Sequence, residues 1–130
     1  MSTASWPSFF PSECPPSEAK DASVEVFRLV ASDPPTTKDF ESYAQTRPKY
    51  VGNCKASGLS VFTTRSDVSR YVRRVPGQMQ GITAPEVLIA SATLSPEDGK
   101  ILHTPRDDNS HHTWWAPSGF DYAAAFKVVS

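Results

Sequence analysis

The segment Arg106-Asp107-Asp108-Asn109-Ser110-His111-His112-Thr113-Trp114-Trp115 gathers the side chains of this 130-residue sequence best suited to chemistry. It holds two of the three histidines and two of the three tryptophans. His111 and His112 can donate, accept or titrate near neutral pH. Trp114 and Trp115 offer broad faces for stacking on a planar ligand, and Asp107 and Asp108 add acceptors. The same residues also have a plainer reading, in which the tryptophans lid a core and the histidines cap or face solvent. Adjacent histidines point apart and no further ligand set has local spacing, so no metal is expected.

Arg28 is the second candidate. It lies in Glu25-Val26-Phe27-Arg28-Leu29-Val30, whose alternation of β-branched, aromatic and apolar residues predicts a strand. Phe27 and Leu29 fall on one face; Val24, Val26 and Val30 fall on the other, with Arg28 among them. A charge there needs a partner: a carboxylate such as Glu86 or Asp121, or a phosphate gripped by the planar fork. Ser60, Thr63 and Thr64 form a third group at the end of a predicted strand, 58–63. Their hydroxyls can bond to neighbouring strands or cap a helix as readily as meet a ligand. The sequence has no G-x-S-x-G elbow, P-loop or G-x-G-x-x-G, which removes those routes to hydrolysis and nucleotide binding.

Other elements must position these groups. Phe40, Tyr43 and Ala44 recur at helical spacing behind Thr36 and Asp39, a variant capping box, and that helix should end before Pro48. A second helix begins at Thr64 or Ser66 and buries Val68, Tyr71, Val72 and Val75 until Pro76-Gly77 stops it. Residues 86–94 open with a continuous apolar run, as a central strand does. A turn at 95–99, a short strand at 100–104, a loop from Pro105 to Ala123 and a closing strand at 124–129 complete the chain. The expectation is an α+β fold: a small mixed or antiparallel sheet of five or six strands with two helices.

Residues 1–23 read as an extended arm rich in Ser and Pro, and 24–130 as one domain. Proline blocks regular structure in the arm, while Trp6, Phe9 and Phe10 are too apolar to leave in water. Cys14 and Cys54 form no C-x-x-C pair and read as free thiols; the alternative is one bridge tethering the arm. Thirteen basic and fourteen acidic residues give a net charge of -1, which offers no electrostatic case for nucleic acid. No apolar run is long enough for a membrane helix, and the start lacks a signal-peptide pattern, so a cytoplasmic setting is expected.

The order of these pieces resembles the ADP-ribosyltransferase-like superfamily. The arginine strand F-R-L-V, the segment D-F-E-S-Y, the strand G-L-S-V-F-T-T, the helix R-S-D-V-S-R-Y-V and the strand E-V-L-I-A-S-A-T-L carry the likeness over residues 24–94. The resemblance implies NAD or a related nucleotide as ligand. It puts Arg28 at the basic NAD-contacting position, Ser60, Thr63 or Thr64 at the hydroxyl position, and Phe62, Tyr71 or Trp114 beside the nicotinamide. The family's late glutamate has no counterpart after Glu97. His111, His112, Asp107, Asp108 and Asp121 are the available substitutes, with His111 and His112 beside Arg28 as the catalytic set. The other functional reading is a non-catalytic interaction protein of the immunity, inhibitor or small effector type, meeting a protein partner through the aromatic arm and the Trp114–Trp115 loop.

Overall fold

The computed structural model describes residues 5–74, 88–106 and 109–129, and the side chains of residues 72–74 are not among them. Within these residues the fold is α+β with an antiparallel sheet of seven strands. The strands are β1 (Lys20–Asp21), β2 (Glu25–Val30), β3 (Leu59–Phe62), β4 (Leu88–Thr93), β5 (Lys100–His103), β6 (His111–Trp115) and β7 (Lys127–Val128). Four α-helices accompany them: α1 (Tyr43–Thr46), α2 (Cys54–Ser57), α3 (Arg65–Arg74) and α4 (Tyr122–Ala125). Both counts exceed the five or six strands and two helices expected from the sequence.

Three of the differences have local causes. The helix expected around Phe40 is broken into a 3-10 turn at Thr37–Phe40, then α1, then a 3-10 turn at Pro48–Tyr50. The first two pieces each start their own cap: the Asp39 carboxylate accepts from the Thr36 amide (2.9 Å) and the Gln45 side chain accepts from the Ser42 amide (2.9 Å). The expected loop from Pro105 contains β6, so His111 to Trp115 belong to the sheet. The expected closing strand at 124–129 is instead α4 followed by the two residues of β7. The stop at Pro76-Gly77 and the start of the 86–94 strand lie outside the described residues.

The strand order β1-β5-β6-β3-β2-β4-β7 cannot be laid out flat. Strands β1 and β2 sit four positions apart yet are joined by Ala22, Val24 and the residue between them. Four strand spacings of about 4.8 Å come to roughly 19 Å, and four extended residue steps reach only about 14 Å. The sheet therefore curls. The Ala22 amide bonds to the Gly99 carbonyl (2.9 Å) and the Leu94 amide to the Val24 carbonyl (3.0 Å), drawing the two ends together. Gly99 permits this closeness. Its φ is +108°, and a Cβ there would overlap the Trp115 carbonyl.

Curling encloses the main core. Val26, Val30, Leu59, Val61, Ala92, Ile101, Trp114 and Phe126 point inward. The outer face is covered in two places. Helix α3 seals Phe27, Leu29, Phe62 and Ile89 with Val68 and Tyr71. Its Thr64 hydroxyl accepts from the Asp67 amide (3.3 Å), the capping expected for this helix. The segment from Trp6 to Ala19 lies over Trp115 and Leu102 on β6 and β5.

Cys14 and Cys54 are joined in a disulfide, which overturns their reading as free thiols. The residues lie 40 apart in sequence, so spacing gave no signal of their meeting. Closing a loop of that length stabilises a fold by about 4 kcal/mol in the chain-entropy account.

Trp114 is fully buried and Trp115 is 1% exposed. Neither indole offers a free surface, so the expected partner surface at Trp114–Trp115 is replaced by two core positions. Trp114→Ala should lower unfolding free energy by about 3–5 kcal/mol in urea titrations; a change below 1 kcal/mol would place the ring outside the core.

Candidate functional site

The single ladder pair between β2 and β3, Phe27 with Phe62, leaves the two strands splayed beyond it. Arg28 fills the gap. Its Nε donates to the Asp39 carbonyl (3.1 Å) and its Nη1 to the Ser60 carbonyl (2.7 Å). The guanidinium lies over the Phe40 ring, 5.6 Å from its centroid. It is 3% exposed. Burial lowers its pKa from the ordinary arginine value to about 10, an effect the Asp39 carboxylate partly offsets, so it remains a cation at neutral pH. The expected partners Glu86 and Asp121 do not enter: Glu86 lies outside the described residues, and Asp121 caps α4 by accepting from the Ala124 amide. Two neutral carbonyls do the pairing instead.

The histidines are organised separately. His111 packs edge-on against Phe62, which also meets Tyr71, on the outer face beneath α3. Arg28 follows Val26 and Val30 onto the inner face. The expected meeting of Arg28 with His111 across one cleft is therefore not formed, because strand parity sends them to opposite faces of the sheet. His112 sits on the inner parity but turns to its own neighbour, the cross-strand His103, with ring centroids 4.8 Å apart.

The histidine protonation follows from their partners. His111 Nδ1–H donates to the Thr104 carbonyl (2.8 Å), and His112 Nδ1–H donates to the Ser110 carbonyl (2.8 Å). The buried Nε2 of His111 has no hydrogen-bond partner among the described residues. Burial holds both imidazoles below the ordinary value of 6.5, with the carbonyl bonds acting in the opposite sense.

Of the hydroxyl candidates, Thr64 serves the fold through its side chain, and Ser60 and Thr63 through their backbone. Thr64 meets the Ser110 hydroxyl (3.1 Å) while capping α3. Ser60 acts through its carbonyl on Arg28, and the Thr63 amide donates to the Ser110 carbonyl (3.2 Å). Of the sequence-derived candidates, the structure brings together Phe62, Tyr71 and His111, and it holds Arg28 apart from them. Asp107 and Asp108 lie outside the described residues. Among the described residues no group of three metal-ligating side chains forms.

A hollow among the described residues lies elsewhere. A groove of about 310 Å³ runs between the arm (Pro7, Phe9, Phe10) and the 116–122 segment (Pro117, Phe120, Tyr122), with Phe40 and Leu59 at its base. Its volume is at the lower end for ligand pockets. Phe40 and Tyr122 stack with centroids 4.5 Å apart and planes 9° apart, and Phe120 meets Tyr122 at 5.1 Å. Such pairs contribute about 0.5–1.5 kcal/mol each beyond burial, so this wall is preformed. Glu41 and Gln45 supply polar groups at the groove, both exposed. Burial raises the Tyr122 pKa, so its phenol stays protonated as a donor. Sequence reasoning passed over this site because four separate segments build it. The available signal was Pro117-Ser118-Gly119-Phe120-Asp121-Tyr122, two aromatics in a turn-forming stretch.

Two outcomes test this geometry. His111 and His112 titrate below their unfolded values, so the stability they confer is complete above about pH 6.5 and declines as pH falls through the folded pKa values. Urea midpoints should drop between pH 7.5 and pH 5, and the drop should shrink in His111→Phe; an equal drop in that variant contradicts the assignment. Arg28→Met removes both donors and leaves two carbonyls unpaired, a loss of about 1–3 kcal/mol per group. An unchanged melting temperature in Arg28→Met would mean the guanidinium does not hold the splayed strands.

No family model matches the chain, and no curated protein or solved structure matches it.

Proposed function

We propose that this chain is a non-catalytic binding domain that holds an extended, proline-rich segment of a protein partner in its aromatic groove. The observation that carries the reading is the groove lining. Phe9, Phe10, Phe120 and Tyr122 are all half-buried, so each keeps surface free for contact, and Pro7 and Pro117 stand beside them. Ridges of this kind suit a polyproline II ligand, which arrives already extended and loses little entropy on docking. The Tyr122 hydroxyl and the Gln45 amide can donate to carbonyls of such a ligand, and Glu41 can pair with a lysine or arginine beside its prolines.

Binding is favoured over catalysis on the same lining. Its ionisable side chains are Glu41 and Tyr122, and the Ser57 hydroxyl is spent on the Asn53 carbonyl (2.8 Å). Among the described residues no hydrogen bond joins the Thr37 or Ser118 hydroxyl of the lining to the Glu41 carboxylate, as an activated nucleophile would require. An NAD-binding, ADP-ribosyl-transferring role would need Arg28 to give up two carbonyls before meeting a pyrophosphate. Residence in an oxidising compartment, rather than the cytoplasm, is part of the proposal, supported by the bridged cysteines.

Fluorescence anisotropy with a labelled proline-rich decapeptide carrying one lysine tests this reading. Saturable binding is expected, weakened about tenfold by Phe9→Ala, which corresponds to ~1.4 kcal/mol. Glu41→Lys should weaken the lysine peptide and spare an alanine counterpart. Absence of binding at millimolar peptide, or equal affinity in both variants, contradicts it. Calorimetric heats with NAD that vanish in Arg28→Met would favour the nucleotide reading instead.

A further inference from the structure

The wall of the groove formed by Pro7, Phe9 and Phe10 belongs to a segment held to the rest of the molecule by few hydrogen bonds, its apolar contacts gathering on Trp115. The Ser118 amide donates to the Ser5 carbonyl (2.8 Å). Trp6 and Phe10 stack on each other and pack at the edge of the Trp115 cluster. Backbone pairing of the arm with the sheet begins only at Lys20, opposite Ile101. Between these lies the Cys14–Cys54 bond, the one covalent tie from the arm to α2. Helix α2 in turn places Ser57 in the same groove, and the Cys54 carbonyl accepts from the Trp115 indole (2.9 Å). The bond thus ties the segment that forms one wall of the groove to the helix that carries Ser57 into it.

We infer that the Cys14–Cys54 disulfide is a redox latch on the groove: reduction frees residues 5–19 and removes one wall of the binding site. This rests on the groove being the binding site, and it adds how that site is controlled. The reductant is a dithiol. Its thiolate attacks the sulfur of Cys54, the more exposed partner, and expels Cys14 as thiolate. The reductant's second thiolate then displaces Cys54 from the mixed disulfide. The chain gains two electrons and, with two protons, ends as two thiols, while the dithiol closes to a disulfide. Hydrogen bonding through β2, β3, β4 and β6 is untouched, so the sheet and the Phe40–Phe120–Tyr122 wall persist. The groove is then complete in an oxidising compartment and lacks its arm wall in a reducing one.

Amide hydrogen exchange of the full chain, with and without dithiothreitol, tests the latch without reference to any ligand. Protection should fall at residues 5–19 and stay at β2, β3 and β6, returning on reoxidation; Cys14→Ser/Cys54→Ser should resemble the reduced protein. Unchanged protection in the arm would overturn the latch, and so would loss of protection throughout, which would make the bond a general staple. Anisotropy with the proline-rich decapeptide is the second arm. A tenfold or greater loss of affinity on reduction supports gating, and equal affinity in both redox states overturns it. If the oxidised protein fails to bind the peptide while the arm still loosens on reduction, the ligand assignment fails and the latch stands.

Discussion

Much of this molecule is organised around the indole of Trp115. The ring is shut from solvent against Cys14 and Ala19, its N–H is bonded to the Cys54 carbonyl, and its own carbonyl crowds Gly99 so closely that no side chain fits there. One residue on β6 therefore joins the curled sheet, helix α2 and the arm. A donor buried in this way is costly to leave unpaired, which fixes α2 relative to the strand. With α2 fixed, Cys54 is placed to take Cys14, and the arm acquires its position. The groove wall is a consequence of that sequence of constraints.

A second constraint comes from charge. A guanidinium this deeply buried would be a liability if either carbonyl were withdrawn. It is tolerable because β2 and β3 part after one ladder pair and turn their polar backbone toward it. Phe40 is held between this cation and Tyr122, so the charge that opens the strands also steadies the base of the groove. Arg28 supports the groove from behind.

The sequence was most legible where one face of an element differs from the other. The alternation in β2 separated Phe27 and Leu29 from Val26 and Val30, and they occupy different cores as read. Val68 and Tyr71 with the Thr64 cap identified α3. Legibility failed at His111–Trp115 because both faces of β6 are covered, Trp114 by the inner core and Trp115 by the arm, which erases the period-two contrast. Polar residues in that strand pair with groups outside it, Thr113 with Thr104 at 3.0 Å for instance, and so read locally as a loop. The disulfide, the curl of the sheet and the groove depend on contacts between residues tens of positions apart, which no local pattern encodes.

The central claim is that the arm and the 116–122 segment together form a binding surface. An isotope-filtered NOE experiment on the oxidised protein with the proline-rich decapeptide addresses it directly. The account predicts contacts from proline ring protons to the aromatic protons of Phe9, Phe10, Phe120 and Tyr122. Contacts confined to other surfaces, such as the His103–His112 pair, would contradict it.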